Sequence, residues 1–145
     1  KVNQDVFVSS NKEKISTLIC YESVFGKLYS KYAREGAEVF FELLNEGWYN
    51  NFKVSKQFIG ISSVRAIENR RDIAHSSNMG ITCAINQKGN IINSIEAKKE
   101  DALKVSLHFN KQKTFYTLVG DYISVISLVL MLLLFVYSIK SKKIG

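Results

Sequence analysis

Cysteine is the strongest nucleophile among the side-chain types present, and Cys20 stands where such a side chain can work. It closes a short apolar run, residues 16–20 (STLIC), that is expected to form a buried strand. A helical pattern follows over residues 23–35. A strand-to-helix turn exposes a side chain at the edge of a sheet and aims the helix N-terminus at it. The positive end of that dipole favours a thiolate and any oxyanion formed beside it. Free cysteine is also among the most buried residue types, so an inert strand cysteine is an equally open reading of the same placement. Tyr21 can offer its backbone N–H to an oxyanion, while its ring need only pack. Cys83 lies within an apolar strand pattern and is read as inert core. Two cysteines so far apart make no disulfide framework. Neither His75 nor His108 has ligand-like spacing to either cysteine, so no metal site is expected.

The elements that position Cys20 follow from periodicity. In the helix over 23–35, Val24, Leu28 and Tyr32 form one stripe, with Phe25, Tyr29 and Ala33 beside it, and Gly36 ends it at C′. Residues 38–43 (EVFFEL) predict a strand, and Asn45-Glu46-Gly47 a turn. A second helix is predicted over about 54–71, with Val54, Phe58, Ile61, Val64 and Ile67 as its apolar stripe. Strands are expected at 72–76, at 80–86 and 90–95 as a hairpin turned by Lys88-Gly89, and at 102–109 by alternation. The strand–helix–strand–helix–strand order implies an α/β layer architecture.

The chain has 145 residues, enough for one domain with a core. Its net charge is +7, but the basic residues are scattered and no nucleic-acid motif is present, so nucleic-acid binding is not expected. Residues 122–139 (YISVISLVLMLLLFVYSI) carry no charge. At the helical rise they reach about 27 Å, the thickness of a hydrocarbon core. Tyr116, Tyr122 and Tyr137 lie at or near the two ends, and Lys140, Lys142 and Lys143 follow. The expectation is a transmembrane helix at about 122–139 with a cytoplasmic basic tail, and residues 1–115 outside the cytoplasmic membrane. The opening Lys1, with no initiator Met and no signal peptide, leads to the expectation that these residues are the C-terminal piece of a longer protein.

Leu18-Ile19-Cys20-Tyr21-Glu22, followed by Val24-Phe25, resembles the nucleophile segment of the nitrilase superfamily, and within it the I-C-Y-E motif of the apolipoprotein N-acyltransferases. Three more segments match in order. Asn45-Glu46-Gly47-Trp48-Tyr49 is similar to that family's N-D-x-W-[FW] loop. Arg65-Ala66-Ile67-Glu68-Asn69-Arg70-Arg71 is similar to its R-A-[LI]-E-x-x-R helix, and Ser77-Asn78-Met79-Gly80-Ile81 to its x-[TN]-x-G-I stretch. Gly120-Asp121-Tyr122 and the final apolar run extend the likeness over roughly residues 15–140. Ordered motifs are far more specific than any one of them. There are departures: Glu46 stands where many members have Asp, Gln57-Phe58 where others have Gln-His, and His75 where Arg is common.

The resemblance implies a fold and a chemistry. The fold is the C-terminal half of a nitrilase-type αββα sandwich, a partial domain over 1–115, followed over 116–145 by a juxtamembrane segment, one transmembrane helix and the tail. The chemistry is acyl transfer in a bacterial inner membrane, from a phospholipid through a Cys20 thioester to the amine of a diacylglyceryl-cysteine lipoprotein, without metal or cofactor. It implies a Glu base and an oxyanion-binding Lys upstream of the cysteine; Lys12, Glu13 and Lys14 sit in the wrong context, so these residues alone are expected to be inactive. Glu22 is then placed to hold a lid or a substrate amine, or is only an acid favoured at a helix start. Trp48 and Tyr49 line an acyl-chain pocket or belong to the core, and Asn45 bonds across the site or only forms the turn. Arg65 and Glu68 are read as an intrahelical ion pair, and Asn78 and Gly80 as fixing a tight backbone path. Two alternatives remain: a membrane-tethered amidase of the same superfamily, and a non-catalytic anchored module with the same fold.

Overall fold

A computed structural model describes residues 6–49 and 52–144. Six strands form one sheet in chain order: β1 (Phe7–Val8), β2 (Lys14–Ile19), β3 (Val39–Leu44), β4 (Ile73–Ser77), β5 (Thr82–Ile85) and β6 (Ile91–Ile95). Strands β2, β3 and β4 are parallel, and the flanking pairs are antiparallel. Parallel neighbours need crossovers, and α1 (Gly26–Glu35) and α2 (Phe52–Asn69) supply them. Both helices cover the same sheet face. Leu18, Phe40, Ile73 and Ile85 of the sheet pack there against Tyr29, Tyr32, Ala33, Ile59 and Ala66. On the opposite face Ile19 and Leu43 are about half exposed. The expected α/β layers and the 82–95 hairpin are present, and Gly36 ends α1 in the left-handed conformation at φ 105°.

Several expectations are corrected. The helix expected over 23–35 is two pieces, a 3-10 helix at Cys20–Val24 and then α1. Its buried face is Tyr29, Tyr32 and Ala33, whereas Phe25 is exposed. The stripe read on α2 is also displaced. Val64 and Ile67 are exposed, and the buried face is Ser55, Phe58, Ile59, Ser62, Ala66 and Asn69. Serine and asparagine belong there because they meet buried partners: Ser55 donates to Glu46, Ser62 to Glu42, and Asn69 accepts from Thr117. Residues 102–109 alternate but form no strand. They are pinned instead by the His108 N–H donating to Asp72 Oδ2 at 2.8 Å. Asn110 N–H donates to Glu38 O at 3.2 Å, and the buried Arg71 donates to Gln112 O at 2.7 Å.

After that segment come α3 (Phe115–Val119) and α4 (Tyr122–Ile144). The backbone of α4 includes all of residues 122–139, but the expected membrane span is not established. Among the described residues no helix is long and apolar enough to cross a membrane. The described side chains of α4 are continuous over residues 122–135, short of the ~20 apolar residues a span needs. The side chains of Val136, Ser138 and the lysines of the tail, on which that expectation also drew, lie outside the described residues.

Candidate active site

Cys20 follows the last residue of β2 and opens the 3-10 helix, with a half-buried side chain. Its φ is 52°, in the left-handed region that costs a non-glycine residue on the order of 1–3 kcal/mol. Lys12, Arg70 and Lys98 share a positive φ, but they lie in turns or just past a helix end, where such angles relieve chain reversal. At Cys20 the angle swings the chain sharply off a strand, and three hydrogen bonds keep it there. Glu22 Oε2 accepts from Ile19 N–H at 2.8 Å, Ser23 Oγ donates to Cys20 O at 2.9 Å, and Phe25 N–H donates to Glu22 O at 3.0 Å. The helix dipole expected to face the sulfur is reduced to one five-residue 3-10 turn, because α1 starts only at Gly26. Tyr21 is the second residue of that turn, within the first turn where N–H groups have no intrahelical partner. Its ring is exposed and meets Phe25 edge-on at 5.9 Å.

Ile19 pairs with Leu43, and Leu44 with Ser77. The segments after β2, β3 and β4 therefore leave the sheet side by side at its carboxyl edge, where open α/β sheets carry their sites. There Asn45 Oδ1 accepts from Asn78 Nδ2 at 2.8 Å and from Gly47 N–H at 3.2 Å, and Asn78 Oδ1 accepts from Glu46 N–H at 3.0 Å. Asn45 thus forms its turn and also bonds across to the next loop. Trp48 is 85% exposed, which excludes it from the core, and Tyr49 is 47% exposed with its ring tilted against Phe58. The tight path expected at Gly80 has a cause: a Cβ there would collide with the Glu46 carboxylate. Gly80→Ala is expected to destabilise the protein by about 1–3 kcal/mol, as overpacking does. Denaturant unfolding checks this, and an unchanged midpoint would mean that Glu46 moves freely.

A buried polar cluster beneath this edge escaped the reading of the sequence. Glu42 and His75 are register partners on β3 and β4, and each is almost wholly buried. His75 Nδ1 lies 2.6 Å from Glu42 Oε2, which also accepts from Ser62 Oγ at 2.6 Å, while Tyr29 OH donates to Glu42 Oε1. His75 Nε2 faces Glu46 Oε1 at 3.9 Å, and Ser55 donates to Glu46 Oε2. Burial pushes the His75 pKa down, but the hydrogen bond to Glu42 and the charges of Glu42 and Glu46 outweigh it and hold the imidazole at about 9. Burial likewise raises Glu46, yet His75, Ser55 and Ser77 leave it below the usual carboxylate value. His75 is therefore a cation at neutral pH, tying β3 to the 45–49 loop. The signal was an ionisable residue on the inward phase of two adjacent strands, Glu42 in VFFELL and His75 in IAHSS.

Cys83 is core, as expected. It is 2% exposed, and burial, with the charge of Glu42 adding, pushes its thiol up to about 12. Cys83→Ser is expected to leave activity within a few-fold and to cost about 1 kcal/mol of stability. Iodoacetamide should label Cys20 and spare Cys83; the reverse pattern would mean that the wrong thiol is exposed. Arg65 and Glu68 form the expected ion pair, and Arg65 Nη1 also reaches the Tyr116 hydroxyl at 3.5 Å.

Comparison with known proteins places this geometry. The chain is 30% identical over 125 residues to apolipoprotein N-acyltransferase 1 of Treponema denticola, and 28% identical over 114 residues to apolipoprotein N-acyltransferase of Geobacter metallireducens. These alignments cover 85% and 79% of this chain but only 23% and 22% of the relatives, so it spans about a quarter of their length. Among solved structures, a carbon-nitrogen hydrolase from Helicobacter pylori G27 superposes with a TM-score of 0.58 at 14% identity, over 69% of this chain and 42% of that one. A mutant of the amidase from Nesterenkonia sp. AN1, showing Michael addition of acrylamide at its active site cysteine, gives a TM-score of 0.51 at 19% identity, over 66% and 40%. Both share the nitrilase-like mixed α/β fold. Residues 2–113 match the carbon-nitrogen hydrolase family over most of the chain, and the protein belongs to that family.

Proposed function

We propose that the full-length protein is an N-acyltransferase that moves a fatty acyl chain from a phospholipid, through a thioester on Cys20, to the amine of a diacylglyceryl-cysteine lipoprotein. The observation that carries this is Cys20 held at φ 52° at the carboxyl edge of the parallel strands, in a turn fastened by Glu22. Such a turn presents one side chain to a substrate and resists collapse. In the first step the thiol loses its proton to a base and the sulfur attacks the ester carbonyl. The Tyr21 N–H steadies the oxyanion, and the lysophospholipid alkoxide leaves with a proton. In the second, the lipoprotein amine attacks the thioester carbonyl, the amide forms, and the thiol is restored. Glu22 acts here as a positioning residue, through the backbone on the strand side of Cys20. The general base and the oxyanion-binding lysine are assigned to sequence upstream of Lys1.

The relatives named apolipoprotein N-acyltransferase support the substrate classes, and the exposed Trp48 and Tyr49 suit contact with an acyl chain. The division at residue 115 and the membrane placement belong to the same proposal. Apolar side chains are exposed all round α4, among them Ile123, Val125, Leu128, Leu133 and Phe135. A helix apolar on every side needs a core or a bilayer to cover it. The proposal puts α4 in the cytoplasmic membrane with the sheet domain on its outer face. The test is to incubate the full-length protein with acyl-labelled phospholipid and map the label by peptide mass spectrometry. A hydroxylamine-labile acyl group on the Cys20 peptide is expected. Hydrolysis of small amides with no lipid label would instead identify an amidase, and neither activity a non-catalytic module.

A further inference from the structure

The loop of residues 45–49 turns one side chain inward. Glu46 is buried, whereas Asn45, Gly47, Trp48 and Tyr49 are all exposed. What holds Glu46 therefore holds the loop. Its N–H donates to Asn78 Oδ1 at 3.0 Å, and its carbonyl accepts from Tyr49 N–H at 2.9 Å. Its carboxylate accepts from Ser55 of α2 through Oε2 and fills the space that Gly80 leaves open. Among the described residues Glu46 Oε1 has no hydrogen-bond partner, and neither has His75 Nε2, which faces it at 3.9 Å. Two buried polar atoms in that state are costly unless opposite charges stabilise them. The imidazolium of His75 supplies that charge, and its Nδ1 is fixed by Glu42 Oε2 at 2.6 Å.

Ile19 pairs with Leu43, so the loop leaves β3 beside the turn that carries Cys20. Any shift of the loop moves Asn45, Trp48 and Tyr49 relative to the sulfur. Both members of the tie are positions where the chain departs from the family pattern, Glu46 replacing the usual Asp and His75 the usual Arg. A long acid with a short base spans much the same gap as a short acid with a long base, but the histidine can lose its charge. The titratable groups that face His75 are Glu42 on β3, Glu46 after β3 and Cys83 across on β5, with Tyr29 of α1 beyond Glu42. From α2 the neutral Ser62 hydroxyl faces it. Burial pushes Cys83 up to about 12 and Tyr29 well above its ordinary value, so neither titrates near the His75 pKa of about 9.

We propose that His75 is a positioning residue for acyl transfer: its charge, acting through Glu46, holds the 45–49 loop so that Asn45, Trp48 and Tyr49 meet the substrate at Cys20. This rests on the acyltransferase reading of the site. The test uses the full-length protein in detergent, at a temperature where circular dichroism shows each variant folded. At neutral pH, His75→Gln should speed hydrogen exchange in the peptide spanning 45–49 about tenfold while leaving β2 unchanged. It should raise the KM for phospholipid about tenfold, with a smaller change in kcat. His75→Arg and Glu46→Asp should each impair transfer, the first by overpacking and the second by leaving a gap, and together they should restore it. In wild type, kcat/KM should fall as pH passes through about 9, because the cation is lost, and in the double variant that limb should move to higher pH. A His75 that only stabilises the fold would change neither the KM nor the pH limb of folded protein. Unchanged loop exchange in His75→Gln would overturn the proposal, as would faster exchange with unchanged transfer kinetics, or coincident alkaline limbs in wild type and double variant. If the double variant does not fold, His75→Gln decides through exchange and KM. A wild type that transfers no acyl group would instead sink the acyltransferase reading, while loop exchange still reports the tie.

Discussion

Cys20→Ser in the full-length protein should eliminate the thioester and reduce acyl transfer by roughly a thousandfold or more, since a nucleophile and its base act as a unit. A hydroxyl is far harder to deprotonate than a thiol, and a base matched to sulfur does not serve oxygen. The backbone allows a second variant that separates chemistry from folding. Cys20 occupies φ 52°, which glycine adopts without steric cost. Cys20→Gly should therefore raise stability by about 1 kcal/mol while abolishing the label. Gain of stability with loss of function is the signature of strain kept for a reaction. Transfer retained in Cys20→Ser would sink the mechanism. A stability loss in Cys20→Gly would show that the side chain packs, returning Cys20 to the inert strand reading. The assay reads label on the acceptor lipoprotein, and denaturant unfolding reads the stability.

The difference between what was legible in the sequence and what was not is one of range. Strand β2, the turn at Cys20 and the end of α1 at Gly36 follow from residues a few places apart, so periodicity and one glycine sufficed to place them. The buried face of α2 could not be read that way. Ser55 and Ser62 look like solvent residues until Glu46 and Glu42, distant in sequence, are seen to need them. Residues 102–109 alternate as a strand would, but a strand also needs a free edge in register. The segment instead hangs on the Asp72 side chain through His108 N–H, and the residues just after it on Arg71 through Gln112 O. At the candidate site, Cys20, Asn45 and Asn78 stand out through ordered motifs, whereas the Glu42–His75–Glu46 group beneath them does not, because its members matter only as a set.

That set makes stability depend on alkaline pH. The His75 pKa is about 9 in the folded protein and near 6.5 in an unfolded chain. A raised pKa means the folded state holds the proton more tightly. Its stabilisation is therefore complete below pH 6.5, declines as pH rises, and is lost as pH passes through 9. The gap of 9 − 6.5 units corresponds to about 3 kcal/mol. Above that pH the neutral imidazole leaves the charges of Glu42 and Glu46 without the cation between them, and the tie from β3 to the 45–49 loop is loosened. Denaturant unfolding of the full-length protein in detergent should show a midpoint that falls steadily between pH 6.5 and 9.5. His75→Gln can still donate a hydrogen bond but cannot carry a charge, so it should be less stable at pH 6.5 and show a flattened profile across that window. His75→Ala should cost more, about 3–5 kcal/mol, because breaking a buried pair strands the remaining charge. If wild type and His75→Gln lose stability in parallel up to pH 9.5, His75 is neutral in the fold and the cluster is held by hydrogen bonds alone.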